Sequence, residues 1–180
     1  MSPITPASAH LVAPSMELVE AYIEARRHAD DGKIGQQVPD VTLEAMTQVL
    51  KRYVAKANTP PLPGETSAYQ QFWMIAGACF IGRVSLRRDI GEPSQAIAGH
   101  IAYEVRPDFR RRGFGHRALA LGMKELCRQG VGDILILCEA DNIGSIKIIE
   151  AAGGALESIA PHQYFPEKLI RRYWIRKGCS

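Results

Sequence analysis

Val105-Arg106-Pro107-Asp108-Phe109-Arg110-Arg111-Arg112-Gly113-Phe114-Gly115-His116 is the stretch on which the reading of this chain turns. Ahead of it, Ile97 to Val105 has the composition of a strand, stopped by Pro107, which has no N–H to give a ladder. Behind it, Ala118, Leu121, Met123 and Leu126 recur at helical spacing, and Gly130 stands where a helix closes. The segment is therefore a strand-to-helix junction. Gly113 and Gly115 remove side chains where a ligand would approach the main chain. The first turn of a helix carries unpaired N–H groups and a partial positive charge. Arg106, Arg110, Arg111, Arg112 and Arg117 add positive potential within a dozen residues. Together these make an anion site, and a diphosphate fits it.

Two familiar phosphate motifs do not match. No Gly-Lys-Ser/Thr follows, which excludes the nucleoside-triphosphate loop, and Ala118 stands where a dinucleotide fingerprint needs its third glycine. A solvated basic turn with two convenient glycines stays open on this segment alone.

Outward from the junction, the periodicity predicts a mixed α/β protein. Toward the N-terminus, Gln71–Ile75 and Cys79–Leu86 flank Gly77 as an antiparallel hairpin. Before that come two helices, one from Ser15 to about Asp30 and one capped by Asp40, broken by Pro60, Pro61 and Pro63. Met1 to Pro14, rich in Pro, Ser and Ala, is expected to lie loosely on the surface. Toward the C-terminus, Asp133–Cys138 reads as a strand buried on both faces. Asn142 opens a helix that turns Ile143, Ile146, Ile148 and Ile149 inward and ends at Gly153-Gly154. Short strands follow near Ala155–Ile159 and Leu169–Ile175.

At 180 residues, with no internal repeat, one unit is expected. A composition 46% apolar and 23% charged is that of a soluble protein, and no apolar run reaches the length of a membrane span. Without a charged start or an apolar leader, cytoplasmic residence is expected. Cys79, Cys127, Cys138 and Cys179 form no C-x-x-C pair and have no histidine at ligand spacing, so thiols are expected, with neither disulfide nor metal. The net charge of +3 is too small to imply a nucleic-acid partner by itself.

Arg110-x-x-Gly113-x-Gly115 after Val105-x-Pro107 resembles the coenzyme A signature of the GNAT N-acetyltransferase superfamily. Asn142-Ile-Gly-Ser145 after a buried strand and Glu150-Ala-Ala-Gly153-Gly154 resemble its next segment. Gly99-His100-Ile-Ala-Tyr103 and the ending Arg171-Arg172-Tyr173-Trp174-Ile175 are similar to a little-characterised bacterial group within it. The likeness runs from about Phe72 to Ser158, roughly half the chain.

The resemblance implies a mostly antiparallel central sheet flanked by helices, with a sheet and coenzyme core at 70–176 and a helical acceptor side at 15–57. It implies an acetyltransferase that passes the acetyl group of acetyl-CoA, a cosubstrate, directly to a primary amine, with no metal. Amides from Arg111 to His116, including Arg112, Gly113, Phe114 and Gly115, would bind the pyrophosphate with Arg110. Val105 would pair with the pantetheine and offer its N–H to the oxyanion. Asn142 would meet the pantetheine side, besides capping its helix, and Ser145 would touch the ligand or pack. Glu104 is the first candidate base, and His100, on the same face by alternation, the second; a solvent-facing charge and a structural histidine are their bland alternatives.

One departure stands out. Many relatives place a tyrosine seven residues after the asparagine, as donor to the departing thiolate, and here that residue is Ile149. Ser145 and Tyr164 are candidate substitutes. The acceptor, a small molecule or a peptide, is not readable; Tyr69, Trp73 and Arg87 could border its pocket or simply pack. Homodimers are common in the family, and the sequence is silent on them. Two rivals remain: a non-catalytic coenzyme A sensor, and a nucleic-acid module using the arginines on phosphates.

Overall fold

The computed structural model describes residues 4–27, 44, 47, 48, 51, 70–91 and 98–176. The strands are β1 (His10–Val12), β2 (Gln70–Ala76), β3 (Cys79–Leu86), β4 (Ile101–Val105), β5 (Ile134–Glu139), β6 (Ala155–Pro161) and β7 (Leu169–Ile175). The helices are α1 (Val19–Arg27), α2 (Phe114–Arg128) and α3 (Ile143–Ala151), with short 3-10 turns at Pro6–Ser8, Met16–Leu18 and Pro107–Phe109. The helix expected after Asp40 lies outside the described residues.

The fold is mixed α/β, with antiparallel sheet flanked by helices. One sheet runs β1-β2-β3-β4 and the other β5-β7-β6, every neighbouring pair antiparallel. Two hydrogen bonds join them at one corner. His100 N–H donates to Leu135 O at 2.8 Å, and Leu135 N–H donates to His100 Nδ1 at 2.9 Å. Gly99 makes the corner possible, because a Cβ there would collide with the Leu135 carbonyl.

The larger core lies between the sheets and α2 and α3. It joins Val84, Leu86 and Ile101 to Phe114, Leu119 and Leu126, and to Ile136, Ile146, Ile149 and Tyr173. A smaller core covers the other face, where α1 packs on β2 and β3. Tyr22 stacks on Trp73 with centroids 4.9 Å apart, and Phe80 meets Trp73 edge-on. Such aromatic pairs add about 0.5–1.5 kcal/mol each beyond their area. A bulge lets both cores exist. Met74 pairs with Gly82 but Ile75 with Phe80, so Ile81 is the extra residue opposite β2 and strand alternation resets across it.

Four expectations change. The segment expected to be loose contains β1, which pairs His10 with Ile75 and Val12 with Trp73. Its carbonyl at Ala9 also accepts from Arg117 Nε at 3.0 Å. Strand pairing, not local composition, orders it. The strand expected from Ile97 begins at Ile101, because Gly99 and His100 make the inter-sheet contact. Ile143 is 55% exposed rather than inward, since it opens the first turn of α3. Cys127 is disulfide-bonded, whereas Cys79 and Cys138 are free thiols; sequence spacing does not show which thiols meet in space.

Candidate active site

Beyond the corner at His100 and Leu135, β4 and β5 diverge. Burial follows the divergence: Ile134, Leu135 and Ile136 are buried, while Leu137, Cys138 and Glu139 are only partly so. In an antiparallel ladder the hydrogen-bonded pairs alternate. Arg106 N–H donates to Ile81 O and Arg87 N–H to His100 O, so His100, Ala102, Glu104 and Arg106 face β3. The main-chain groups of Tyr103 and Val105 consequently face the opening toward β5. An unpaired strand edge thus lines one wall.

A cavity of about 660 Å³ fills this opening. Arg83, Ser85, Ala102 and Glu104 line it from the α1 face of the sheet. Tyr103, Gly115, Ser145 and Ile148 line it from the face packed by α2 and α3, and Arg110, Arg111, Asn142 and Val105 line it as well. The cleft therefore passes through the sheet and is reachable from two sides.

At the helix side the main chain makes the anion site. The first rung of α2 is Arg117 N–H to Gly113 O at 3.2 Å, so the N–H groups of Gly113, Phe114, Gly115 and His116 have no acceptor within the helix. Gly113 has φ +85°, the left-handed region that favours glycine, and its need is conformational. Gly115 serves packing. A Cβ there would come within 2.6 Å of Ile148 Cδ1, so its missing side chain lets α3 close on α2. Phe114 is buried against Phe109, centroids 5.4 Å apart, and can offer a ligand only its main chain.

The arginines divide. Arg106 is 7% exposed and grips Asp108 through Nε at 2.7 Å and a terminal nitrogen at 2.6 Å. Arg112 lies over the Phe109 and Phe114 rings, and Arg117 holds Ala9 O. Only Arg110 and Arg111 among the five line the cavity. Arg110 Nε donates to Val105 O at 2.9 Å, so that carbonyl is taken and the Val105 N–H is the free main-chain donor there.

On α3, Asn142 Oδ1 accepts from Ser145 N–H at 3.0 Å, an N-cap, and both residues line the cavity. Ile149 is 1% exposed in the core, so its position faces away from the cleft. Tyr164 is 64% exposed and lies outside the cavity wall.

Of the two candidate bases, Glu104 lines the cleft. Its Oε2 accepts from Arg83 Nε at 2.8 Å, a cross-strand pair in register. His100 does not line it. The ring is buried, its Nδ1 is committed to Leu135 N–H, and burial pushes its pKa down despite the Asp89 charge. Among the described residues no group of three His, Cys, Asp or Glu could hold a metal ion. No helix among them is long and apolar enough to cross a membrane.

The family model described as acetyltransferase (GNAT) domain matches residues 12–155. The chain belongs to the GNAT acetyltransferases. No curated protein sequence matches it. Solved GNAT structures share its fold at low identity. An acetyltransferase from Salmonella typhimurium that modifies the N-terminal serine of a 50S ribosomal subunit protein is 16% identical, with TM-score 0.64 over 93% of this chain and 94% of that one. Spermidine N-acetyltransferase from Vibrio cholerae, in complex with CoA and spermine, is 12% identical, with TM-score 0.64 over 95% and 96%. The microcin C7 self-immunity acetyltransferase, in complex with acetyl-CoA and AMP, is 14% identical, with TM-score 0.64 over 93% and 92%.

The GNAT signature thus lies on a built cleft, but part of that cleft was not apparent from the signature. Arg83 and Ser85 reach it from β3, a strand that carries no motif. Their signal was the register that sets Arg83 opposite Glu104, which needs the β3–β4 pairing to be known. Tyr103 served only as a landmark in the sequence, and in the fold it forms part of the cavity wall.

Proposed function

We propose that this chain transfers the acetyl group of acetyl-CoA to a primary amine by direct attack in a ternary complex. The observation that carries the proposal is the two-sided cleft between β4 and β5, with a helix N-terminus at one end and a free strand edge along it. The pyrophosphate would take the N–H groups of 113–116, with Arg110 and Arg111 adding charge. The pantetheine arm would pair with the Tyr103 and Val105 edge beside Asn142. Val105 N–H, aimed into the opening, is the donor for the tetrahedral oxyanion. Structural neighbours that hold CoA or acetyl-CoA support this use of the fold.

The acceptor would enter from the α1 face, where Glu104 waits. A lysine-type amine has a pKa of about 10.4 and must shed a proton before attack. Glu104 takes that proton directly or through water, with Arg83 fixing its carboxylate. His100 is left as a pin between sheets, because its accepting nitrogen is occupied. Ser145 is the cavity-facing hydroxyl of α3 and the donor for the departing thiolate, in place of the tyrosine absent at Ile149. Neighbours act on a protein N-terminus and on a polyamine, so both peptide and small-molecule amines belong in the test.

Release of free thiol from acetyl-CoA would be followed against polyamines, aminoglycosides and serine-terminated peptides. The expected result is calorimetric binding of acetyl-CoA and thiol release that depends on an amine. Failure to bind acetyl-CoA overturns the proposal. Binding without turnover by any amine would point to a coenzyme sensor, the rival reading.

A further inference from the structure

Three hydroxyl side chains are among those lining the cavity: Ser85 on the α1 face, and Tyr103 and Ser145 on the helix face. Tyr103 is peculiar among them. Its phenolic oxygen is shut off from water and makes no well-formed hydrogen bond. Ser145 is its neighbour on the cavity wall. Burial raises the phenol's pKa, with Ser145 pulling the other way, and the phenol keeps its proton at neutral pH. The ring borders the packing of α2 on α3, with Cε2 3.9 Å from where a Gly115 Cβ would sit. A buried donor with no acceptor costs stability, so its retention calls for a use.

Among the described residues, no other tyrosine lines the cavity. Tyr173 donates its hydroxyl to Glu150 Oε1 at 3.0 Å, and Tyr164 is outside the cavity wall. We propose that Tyr103 is a positioning residue acting through Ser145: its O–H orients the serine hydroxyl and restores the proton that Ser145 gives to the departing sulfur. The proposal rests on the acetyl-CoA reading above. As the amine nitrogen bonds to the thioester carbonyl carbon, the C–S bond breaks and its electron pair goes to sulfur. The Ser145 proton moves to sulfur, giving the free thiol, and the Tyr103 proton moves to Ser145 Oγ. The proton shed by the amine passes to Glu104 or water, and tyrosinate recovers one from water after the products leave.

The test is a double-mutant cycle on the full chain, with Ser145→Ala, Tyr103→Phe and the pair, using acetyl-CoA and the best amine of the panel. Ser145→Ala is expected to lower kcat about 100-fold, the lower end of the range for proton-transfer groups, and Tyr103→Phe about 10-fold, because it acts through the serine. Tyr103→Phe should leave the KM for acetyl-CoA and the calorimetric Kd for CoA within about twofold, and the pair should be no slower than Ser145→Ala alone. Tyr103→Phe keeps the ring and removes only the hydroxyl, so the fold should hold, and a thermal melt of the variant shows that loss of folding does not confound the result. An unchanged kcat for Tyr103→Phe, losses that multiply in the pair, or an equal fall in CoA affinity would overturn the proposal. A wild-type chain that binds no CoA would sink the acetyl-CoA reading itself, a result distinct from a silent Tyr103→Phe.

Discussion

Arg111 holds φ +58°, a left-handed conformation uncommon outside glycine. It lines the cleft, so strain and charge sit on one residue at the anion site. Arg111→Gly should leave the melting temperature unchanged or raised by a few degrees, since the strain removed is about 1 kcal/mol, while weakening acetyl-CoA binding roughly 3- to 10-fold. A thermal melt beside a calorimetric titration checks both, and a fall in both would mean that Arg111 supports the turn itself. His100 sets a pH dependence. Burial holds its folded pKa below the ordinary 6.5, so between the two values the unfolded chain binds more protons. Its stability contribution is complete above about pH 6.5 and is lost as pH falls toward the folded pKa. Melting temperature should drop on acidification through that window, and His100→Asn should flatten the drop; an unchanged slope would count against the pin. Residue directions were the least legible feature of the sequence. Five clustered arginines read as one positive patch, yet Phe109, Phe114, Asp108 and Ala9 turn three of them aside.

The elements were more legible where periodicity was long. β2, β3, β5, α2, α3 and β7 follow from alternation or helical spacing, because burial on one face dictates those patterns. β1 was not, since three residues gain their order from pairing with β2 rather than from propensity. Asn142 was legible as a cap, and two substitutions separate that role from the ligand contact proposed for it. Asn142→Ala should cost about 1 kcal/mol of stability through the lost cap. Asn142→Ser should restore that stability, but not the acetyl-CoA affinity if the amide meets the pantetheine. Chemical denaturation and calorimetry on the two variants decide it: recovery of both by serine would leave Asn142 as a cap only.

On the scale of the whole molecule, the site is a consequence of how two sheets meet. A corner made by Gly99, His100 and Leu135 holds β4 and β5 together at one end, so they can part at the other. Nothing in the local pattern of either strand announces that divergence; it depends on contacts between residues 35 apart in sequence. Gly99→Ala sets a methyl group against the Leu135 carbonyl, where backbone must move, and should destabilise the fold by about 1–3 kcal/mol. A chemical-denaturation midpoint equal to wild type would show the corner to be looser than drawn. The central claim is that a diphosphate sits on the N-terminus of α2 while its thiol arm follows the open edge of β4. An amide-resolved NMR titration with CoA tests it most directly. The largest shifts should fall on the N–H groups of Gly113, Phe114, Gly115 and His116 and of Tyr103 and Val105. Shifts confined to other surfaces, or none at saturating coenzyme, would contradict the account.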